Sequence, residues 1–363
     1  MENPLTHLSE QPLEAEFSTK CPVDASHDWQ AFARAKLDSL TKPPGSLGRL
    51  EEIAAKIVSI RQQESPGCAN KAVYVFAADH GVTDEGVSAY PKVVTQQMVR
   101  NFLANGAAIN VLARHARAEV IVVDVGVDAD FDFHPNLLDK RIRRGTRNMA
   151  IGPAMTECEM NAAIAVGRTL AKQARLQNRD LIAIGEMGIG NTTAAAAITA
   201  AMSEMPAEKV TGSGTGVSLQ ALIHKRHIVK RALRVNRLDK NSSPLDVLQK
   251  VGGLEITAMT GLVLEALEQR IPVVIDGFIS AAAAALAHAI EPKVKGILFA
   301  GHVSEEPGHR VLLQYLGLDP ILNLGMRLGE GTGAVLGMMV IEAAVSVFNE
   351  MATFSSAGVS VAL

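Results

Sequence analysis

Leu181-Ile182-Ala183-Ile184-Gly185-Glu186-Met187-Gly188-Ile189-Gly190-Asn191-Thr192-Thr193 turns from a β-branched apolar run, through glycines, into an alanine-rich segment at 194–202. A short run that is apolar on both faces reads as a strand covered on both sides, and alanine is the best helix former. The same unit recurs outward from it. AVYVFAADHG at 72–81 and EVIVVDVG at 119–126 precede it; PVVIDGFIS at 272–280, GILFAGHVSEE at 296–306 and PILNLGMRLGEGTG at 320–333 follow. Strands of this kind alternating with helices imply an α/β fold with a parallel sheet flanked by helices. Ligands of such sheets bind outside the carboxyl ends of the strands, where each of these segments turns polar or glycine-rich. The repetition is architectural only, because no fixed sequence period accompanies it.

Before the first strand, the pattern from Asp28 to Arg61 is helical with a break at Lys42-Pro43-Pro44-Gly45, after which Ser46 is placed to cap a second helix. The expected organisation is an N-terminal extension (1–25), a helical arm (26–65), an α/β domain (66–332) and a C-terminal helix and tail (333–363).

The chain has 363 residues, 48% of them hydrophobic, which is enough for a large core. Thirty-five Lys and Arg against 38 Asp and Glu leave none of the basic surplus of a nucleic-acid binder, so a small-molecule ligand is expected. Cys21, Cys68 and Cys158 are too far apart for a zinc knuckle or a disulfide framework, which suits a reducing cytoplasm. The acidic N-terminus does not read as a secretory signal. The longest apolar run, Gly333 to Phe348, is interrupted by Glu342 and falls short of the roughly 20 residues of a membrane span, so no membrane association is expected.

The loop Gly185–Thr193 has the composition of a phosphate site at a helix N-terminus, although neither the Walker A ending nor the dinucleotide fingerprint is present. A tight strand-to-helix turn would favour the same residues. A second glycine-rich stretch, Val210–Gly216, leads into a basic helix with Lys225, Arg226 and Lys230; it reads either as a phosphate grip or as a loop before a solvated cationic face. Asp276 ends the strand PVVID, where it can accept hydrogen bonds from a sugar hydroxyl or cap the following helix. Asp79, His80, His302 and His309 raise the question of a metal, but no H-E-x-x-H pair or closely spaced Asp ligands appear, and none is expected. Glu330 stands alone among glycines and apolar side chains in LGMRLGEGTG. That setting raises a carboxyl pKa toward the range of a general base, while a helix-start acid would look the same.

Six motifs in order, KPPGSLGRLE, FAADHGV, GEMGIGNTT, VIDGFIS, GHVSEEPGH and LGMRLGEGTGA, resemble the nicotinate-nucleotide:dimethylbenzimidazole phosphoribosyltransferase (CobT) family from about Asp28 to Ala344. The resemblance implies a homodimer with a Rossmann-like large domain and a smaller helical domain from both chain ends. It implies transfer of the 5-phosphoribosyl group of nicotinate mononucleotide to 5,6-dimethylbenzimidazole, with anomeric inversion and without metal or other cofactor. It assigns Glu330 as catalytic base, and Ser88, Tyr90, Gln96, Met187 and Leu328 to the pocket of the base. Glu186, Gly188, Gly190, Asn191, Thr192, Lys225, Asp276 and Ser304 would hold the nucleotide. The competing readings are a metal-dependent phosphohydrolase built on Asp79, His80, His302 and His309, and a nucleotide-sensing module that binds without turnover.

Overall fold

The computed structural model describes residues 28–360 except 204, 215 and 217; the N-terminal extension with Cys21, and Thr215 of the second glycine-rich stretch, lie outside the described residues. Helix α1 (Trp29–Ser39) is started by the Asp28 carboxylate, which accepts the amides of Gln30 and Ala31 at 3.0 Å. Helix α2 (Arg49–Arg61) begins two residues later than a Ser46 cap would place it, with Gly48 at the N-cap. The reason lies in Glu51, which takes the Leu47 amide at 2.9 Å and pairs with Lys42 at 2.8 Å. The turn after Pro43-Pro44 is thereby closed from inside α2, and Ser46 is left without the capping role.

Strand β1 (Lys71–Ala78) is buried along its whole length. It is followed by α3 (Val94–Leu103), α4 (Ala108–His115), β2 (Ala118–Gly126) and a short strand β3 (Leu137–Asp139). Its Leu-Leu-Asp has no β-branched residue and stands between Pro135-Asn136 and Lys140-Arg141, so β3 escapes the pattern that marks the other strands. Helix α5 (Glu157–Leu176) opens on a capping box between Thr156 and Glu159. Then come β4 (Leu181–Met187), α6 (Asn191–Met202), α7 (Ala207–Val210), α8 (Leu219–Val235), α9 (Pro244–Val251) and α10 (Leu254–Glu268). The chain closes with β5 (Val273–Ile275), α11 (Phe278–Ile290), β6 (Leu298–His302), α12 (Pro307–Leu316), β7 (Pro320–Leu322), α13 (Thr332–Glu350) and α14 (Phe354–Ala357).

Seven strands form one parallel sheet in the order β3-β2-β1-β4-β5-β6-β7. The chain winds outward from β1 through β2 to β3, then returns to lie beside β1 and winds the other way. This is the doubly wound α/β arrangement, whose switch point between β1 and β4 opens a crevice at the strands' carboxyl ends. Helices α10 and α11 pack on one face of the sheet and α4 and α13 on the other. Both α10 and α11 are buried nearly all round, which accounts for their apolar, small-residue composition.

Helix α13 has the length and hydropathy of a membrane span, but its apolar side lies against β4, β5 and β6, and its acid answers a buried cation. Lys71, at the start of β1, is buried with its ammonium 2.6 Å from Glu342 of α13. The two chain ends meet beside this helix, where Leu40 bridges to Thr353 and the Thr41 amide donates to Ala352. Glu342→Ala would strand the Lys71 ammonium, and since Glu342 is partly solvated the expected loss is about 1–3 kcal/mol, with less for Glu342→Gln. Denaturant midpoints of the two variants check this; unshifted midpoints would mean the pair does not anchor α13.

Candidate active site

Loops at the carboxyl ends of β4 to β7 surround a cleft of about 100 Å³. Its back wall comes from β4. Glu186, the penultimate residue of that strand, is buried and accepts a hydrogen bond from the Asn191 side-chain amide across the turn. Burial pushes its carboxyl well above the usual range, and the neighbouring carboxylates of Glu255, Asp276 and Glu330 push the same way. The turn between them is pinned from behind, where the Ile189 amide donates to Thr95 Oγ1 of α3 at 3.1 Å.

Helices α6 and α11 start on Gly190 and Gly277 with no capping side chain; at α6 the Gly188 and Gly190 carbonyls take the amides of Asn191 and Thr193, so the donors left to meet an anion are the Thr192 amide and those that open α11. Lys225 of α8 comes up beneath this end of the cleft. It is buried, and its ammonium donates to Thr192 Oγ1 at 2.8 Å. Burial lowers its pKa to about 8, against the opposing pull of Glu306. Glu306 in turn accepts the Gly214 amide at 2.7 Å, and Arg327 donates to the Gly214 carbonyl at 3.0 Å. The second glycine-rich stretch is thus fastened over the mouth of the site by side chains from either end of α12 and β7. On the same side the His309 ring accepts the Ser304 amide at 2.8 Å, and burial drives the His309 pKa down to about 3.

Glu330 closes the cleft opposite the β4 loop. It adopts a left-handed backbone, φ +63°, between Gly329 at +87° and Gly331 at +89°. A bulky residue holds that conformation only where its surroundings over-determine it. Here they do: Gly185 of β4 lies so close beneath that any side chain there would collide with the backbone of Glu330 and Gly331. The glutamate is 5% exposed and one carboxylate oxygen has no hydrogen-bond partner. Burial raises its pKa to about 7; the charge of Asp276 adds to that, and the Ile109 amide at the start of α4 opposes it.

Of the residues singled out from sequence, Glu186, Met187, Gly188, Asn191, Thr192, Ser304, Leu328 and Glu330 line this one cleft. Gly190 sits at its edge in the β4–α6 turn. Lys225 lies behind the lining and reaches it through Thr192. Ser88, Tyr90 and Gln96 lie outside its lining, on the segment leading into α3: Ser88 Oγ accepts the Tyr90 amide at 3.1 Å, and Tyr90 is 54% exposed. Asp276 is buried, and it caps a helix other than the one that follows it. Its carboxylate accepts the amides of Gly331, Gly333 and Ala334 at 3.2, 2.7 and 2.9 Å, at the start of α13.

Arg327, Glu306, Phe278 and Ile279 also line the cleft without having been assigned a role from sequence. Arg327 and Glu306 stood inside quoted motifs, and only their contacts with Gly214 reveal what they do. Of the four side chains that a metal-dependent hydrolase would use, His302 lines the cleft with its ring 6.1 Å from that of His309 and 3.6 Å from Asp276, while the other three are engaged elsewhere. His80 pairs with Glu255 at 2.6 Å, Asp79 accepts the Asp128 amide at 2.8 Å, and His309 is occupied by Ser304.

A site that can grip a phosphorylated substrate at uncapped helix ends and take a proton on a lone carboxylate has the equipment of a group-transfer enzyme. The phosphoribosyltransferase family matches residues 23–359, and the chain belongs to that family. It is 54% identical over 340 residues to the nicotinate-nucleotide--dimethylbenzimidazole phosphoribosyltransferase of Geobacter sulfurreducens, covering 94% of this chain and 96% of the relative. It is 55% identical to the protein of the same name from Geotalea uraniireducens, covering 93% and 96%. The crystal structure of CobT from Thermus thermophilus matches with a TM-score of 0.89 at 50% identity, over 93% of this chain and 100% of that one.

The raised pKa of Glu330 has a consequence for stability. The folded chain holds this proton up to about pH 7, whereas an unfolded glutamate releases it near 4.5. Stability from this group is therefore full below about 4.5 and declines as pH rises toward 7, by at most about 3 kcal/mol. Glu330→Gln is expected to melt higher than the parent chain at pH 8, with the gain shrinking toward pH 5. A helix-start acid would behave oppositely, and a lower melting temperature at pH 8 would reveal one.

Proposed function

We propose that the chain transfers the 5-phosphoribosyl group of nicotinate mononucleotide to 5,6-dimethylbenzimidazole, giving α-ribazole 5′-phosphate and nicotinate, with Glu330 as general base. The observation that carries this reading is the desolvated carboxylate of Glu330, with one oxygen unpartnered, facing the same cleft as the uncapped start of α6. In the reaction, one ring nitrogen of the benzimidazole attacks the anomeric carbon of the ribose. The bond from that carbon to the pyridinium nitrogen breaks, and its electron pair cancels the ring's positive charge. The second benzimidazole nitrogen gives up its proton, which Glu330 accepts. Attack opposite the leaving group inverts the anomeric centre.

The cationic leaving group departs as a neutral ring nitrogen, so the step needs no metal to neutralise it, unlike departure of a diphosphate. Holding both substrates in one cleft supplies much of the rate. Gly188, Gly190, Asn191, Thr192, Lys225 and Ser304 hold the phosphoribosyl part in this reading, and Glu186 lies within reach of the ribose hydroxyls. Ser88, Tyr90, Gln96, Met187 and Leu328 bound the base. The reading also carries a homodimer working in the cytoplasm.

Incubation with nicotinate mononucleotide and dimethylbenzimidazole in EDTA is expected to release nicotinate with equimolar α-ribazole 5′-phosphate, read by mass. Activity lost in EDTA and restored by Mg²⁺ would overturn the metal-free step, and binding without nicotinate release would favour the sensing module. Glu330→Gln is expected to lower kcat about 10²- to 10⁴-fold.

Lys225→Ala should raise KM for the nucleotide more than KM for the base. Because Lys225 loses its proton near pH 8, kcat/KM for the nucleotide should fall as pH rises through that value. A flat profile in this range, unchanged by the substitution, would remove Lys225 from the phosphate site.

A further inference from the structure

We propose that Asp276, at the end of β5, is a positioning residue that fixes and primes Glu330 rather than a contact for the nucleotide; this rests on Glu330 being the base. The geometry starts with the carboxylate's partners. Both oxygens are spent on backbone amides, Oδ2 on Gly331 and Oδ1 on Gly333 and Ala334. Those amides belong to the residue immediately after Glu330 and to the first turn of α13. Free N–H groups at a helix start draw anions, as those of α6 and α11 remain able to do. At α13 the protein supplies its own anion, so that helix start is closed to a substrate phosphate. With 2% of its surface exposed, Asp276 lies behind the loop and not in the cleft lining.

What these bonds hold is a conformation that glutamate does not adopt by itself. Glu330 sits in the left-handed region, and two constraints keep it there: Gly185 beneath, which leaves no room to relax, and Asp276, which ties down the next peptide. Without the tie, the loop would turn the carboxylate out of line with a benzimidazole nitrogen.

The charges around the pair act in the same sense. Facing Asp276 are His302 on β6, its ring nitrogen 3.6 Å from Oδ1, and the carboxyls of Glu186 on β4 and Glu330. Burial pushes the Asp276 carboxyl up, while His302 and the three amides pull it down toward the anion. A negative Asp276 then keeps Glu330 from giving up its proton too easily, which makes it a stronger base.

Asp276→Asn and Asp276→Ser are compared with the parent chain and Glu330→Gln, using nicotinate mononucleotide and dimethylbenzimidazole as probes and melting curves to establish folding. The expected result is a kcat lower by roughly 10²-fold, as for a misplaced catalytic group, with KM for the nucleotide within about twofold of the parent. The acid limb of the kcat profile should also move below about pH 7, toward the ordinary carboxylate range. A tenfold rise in nucleotide KM with kcat and its acid limb unmoved would make Asp276 a nucleotide contact and overturn the proposal. So would parent-like kinetics in a folded variant, or failure of both Asp276 variants to fold while Glu330→Gln folds. If the parent chain releases no nicotinate, or Glu330→Gln turns over normally, the base reading itself has failed, and the role of Asp276 falls with it.

Discussion

A parallel sheet has to be covered on both faces, and this constraint arranges everything else in the molecule. Each strand must be apolar on both sides, so β1, the inner strand at the switch point, carries no exposed residue. Polar chemistry is thereby expelled to the strand ends. Because all seven strands run the same way, one edge collects the ends of β4, β5, β6 and β7 together with the starts of the helices that follow them. The cleft lies where exposed amides and displaced carboxylates meet.

That crowding sets the electrostatics. Glu186, Asp276 and Glu330 approach one another in surroundings with little water, and their charges oppose ionisation as burial does. The structure handles each differently. Asp276 is compensated by three amides, which pull against the rise that burial imposes; Glu186 is held by Asn191; Glu330 is left with an unpartnered oxygen. The three carboxyls come to differ in their fixed donors: three amides at Asp276, the Asn191 side chain at Glu186, and at Glu330 the Ile109 amide with one oxygen left over. The one with an oxygen left over is the one able to accept a proton from a substrate.

Much of this was legible beforehand. The strand-to-helix units announced a covered parallel sheet, and six of the seven strands coincide with the quoted runs to within a residue; only β3, whose Leu-Leu-Asp lacks a β-branched residue, carries no pattern of its own. The glycine-rich turns marked the working edge. Glu330 stood out because its neighbours in sequence are glycines and apolar side chains; in space the carboxyls of Asp276 and Glu186 join them, which no local pattern announces. Ser46 has the local look of a cap, but the Gly48 amide it would accept donates to the Gly45 carbonyl, and Glu51 of α2 holds the Leu47 amide.

Sequence by itself determined the layering, the edge at which ligands bind and the identity of the isolated acid, because those depend on periodicity and on residues adjacent in the chain. Tertiary structure alone decided partnerships across long separations. Asp276 reaches the start of α13, His80 meets Glu255 and Lys71 meets Glu342 over 55 to 271 residues of chain. No spacing encodes such pairs. Each exists because the sheet order brings two ends together in a place with too little water to leave a charge unmatched, and that order is a property of the folded chain.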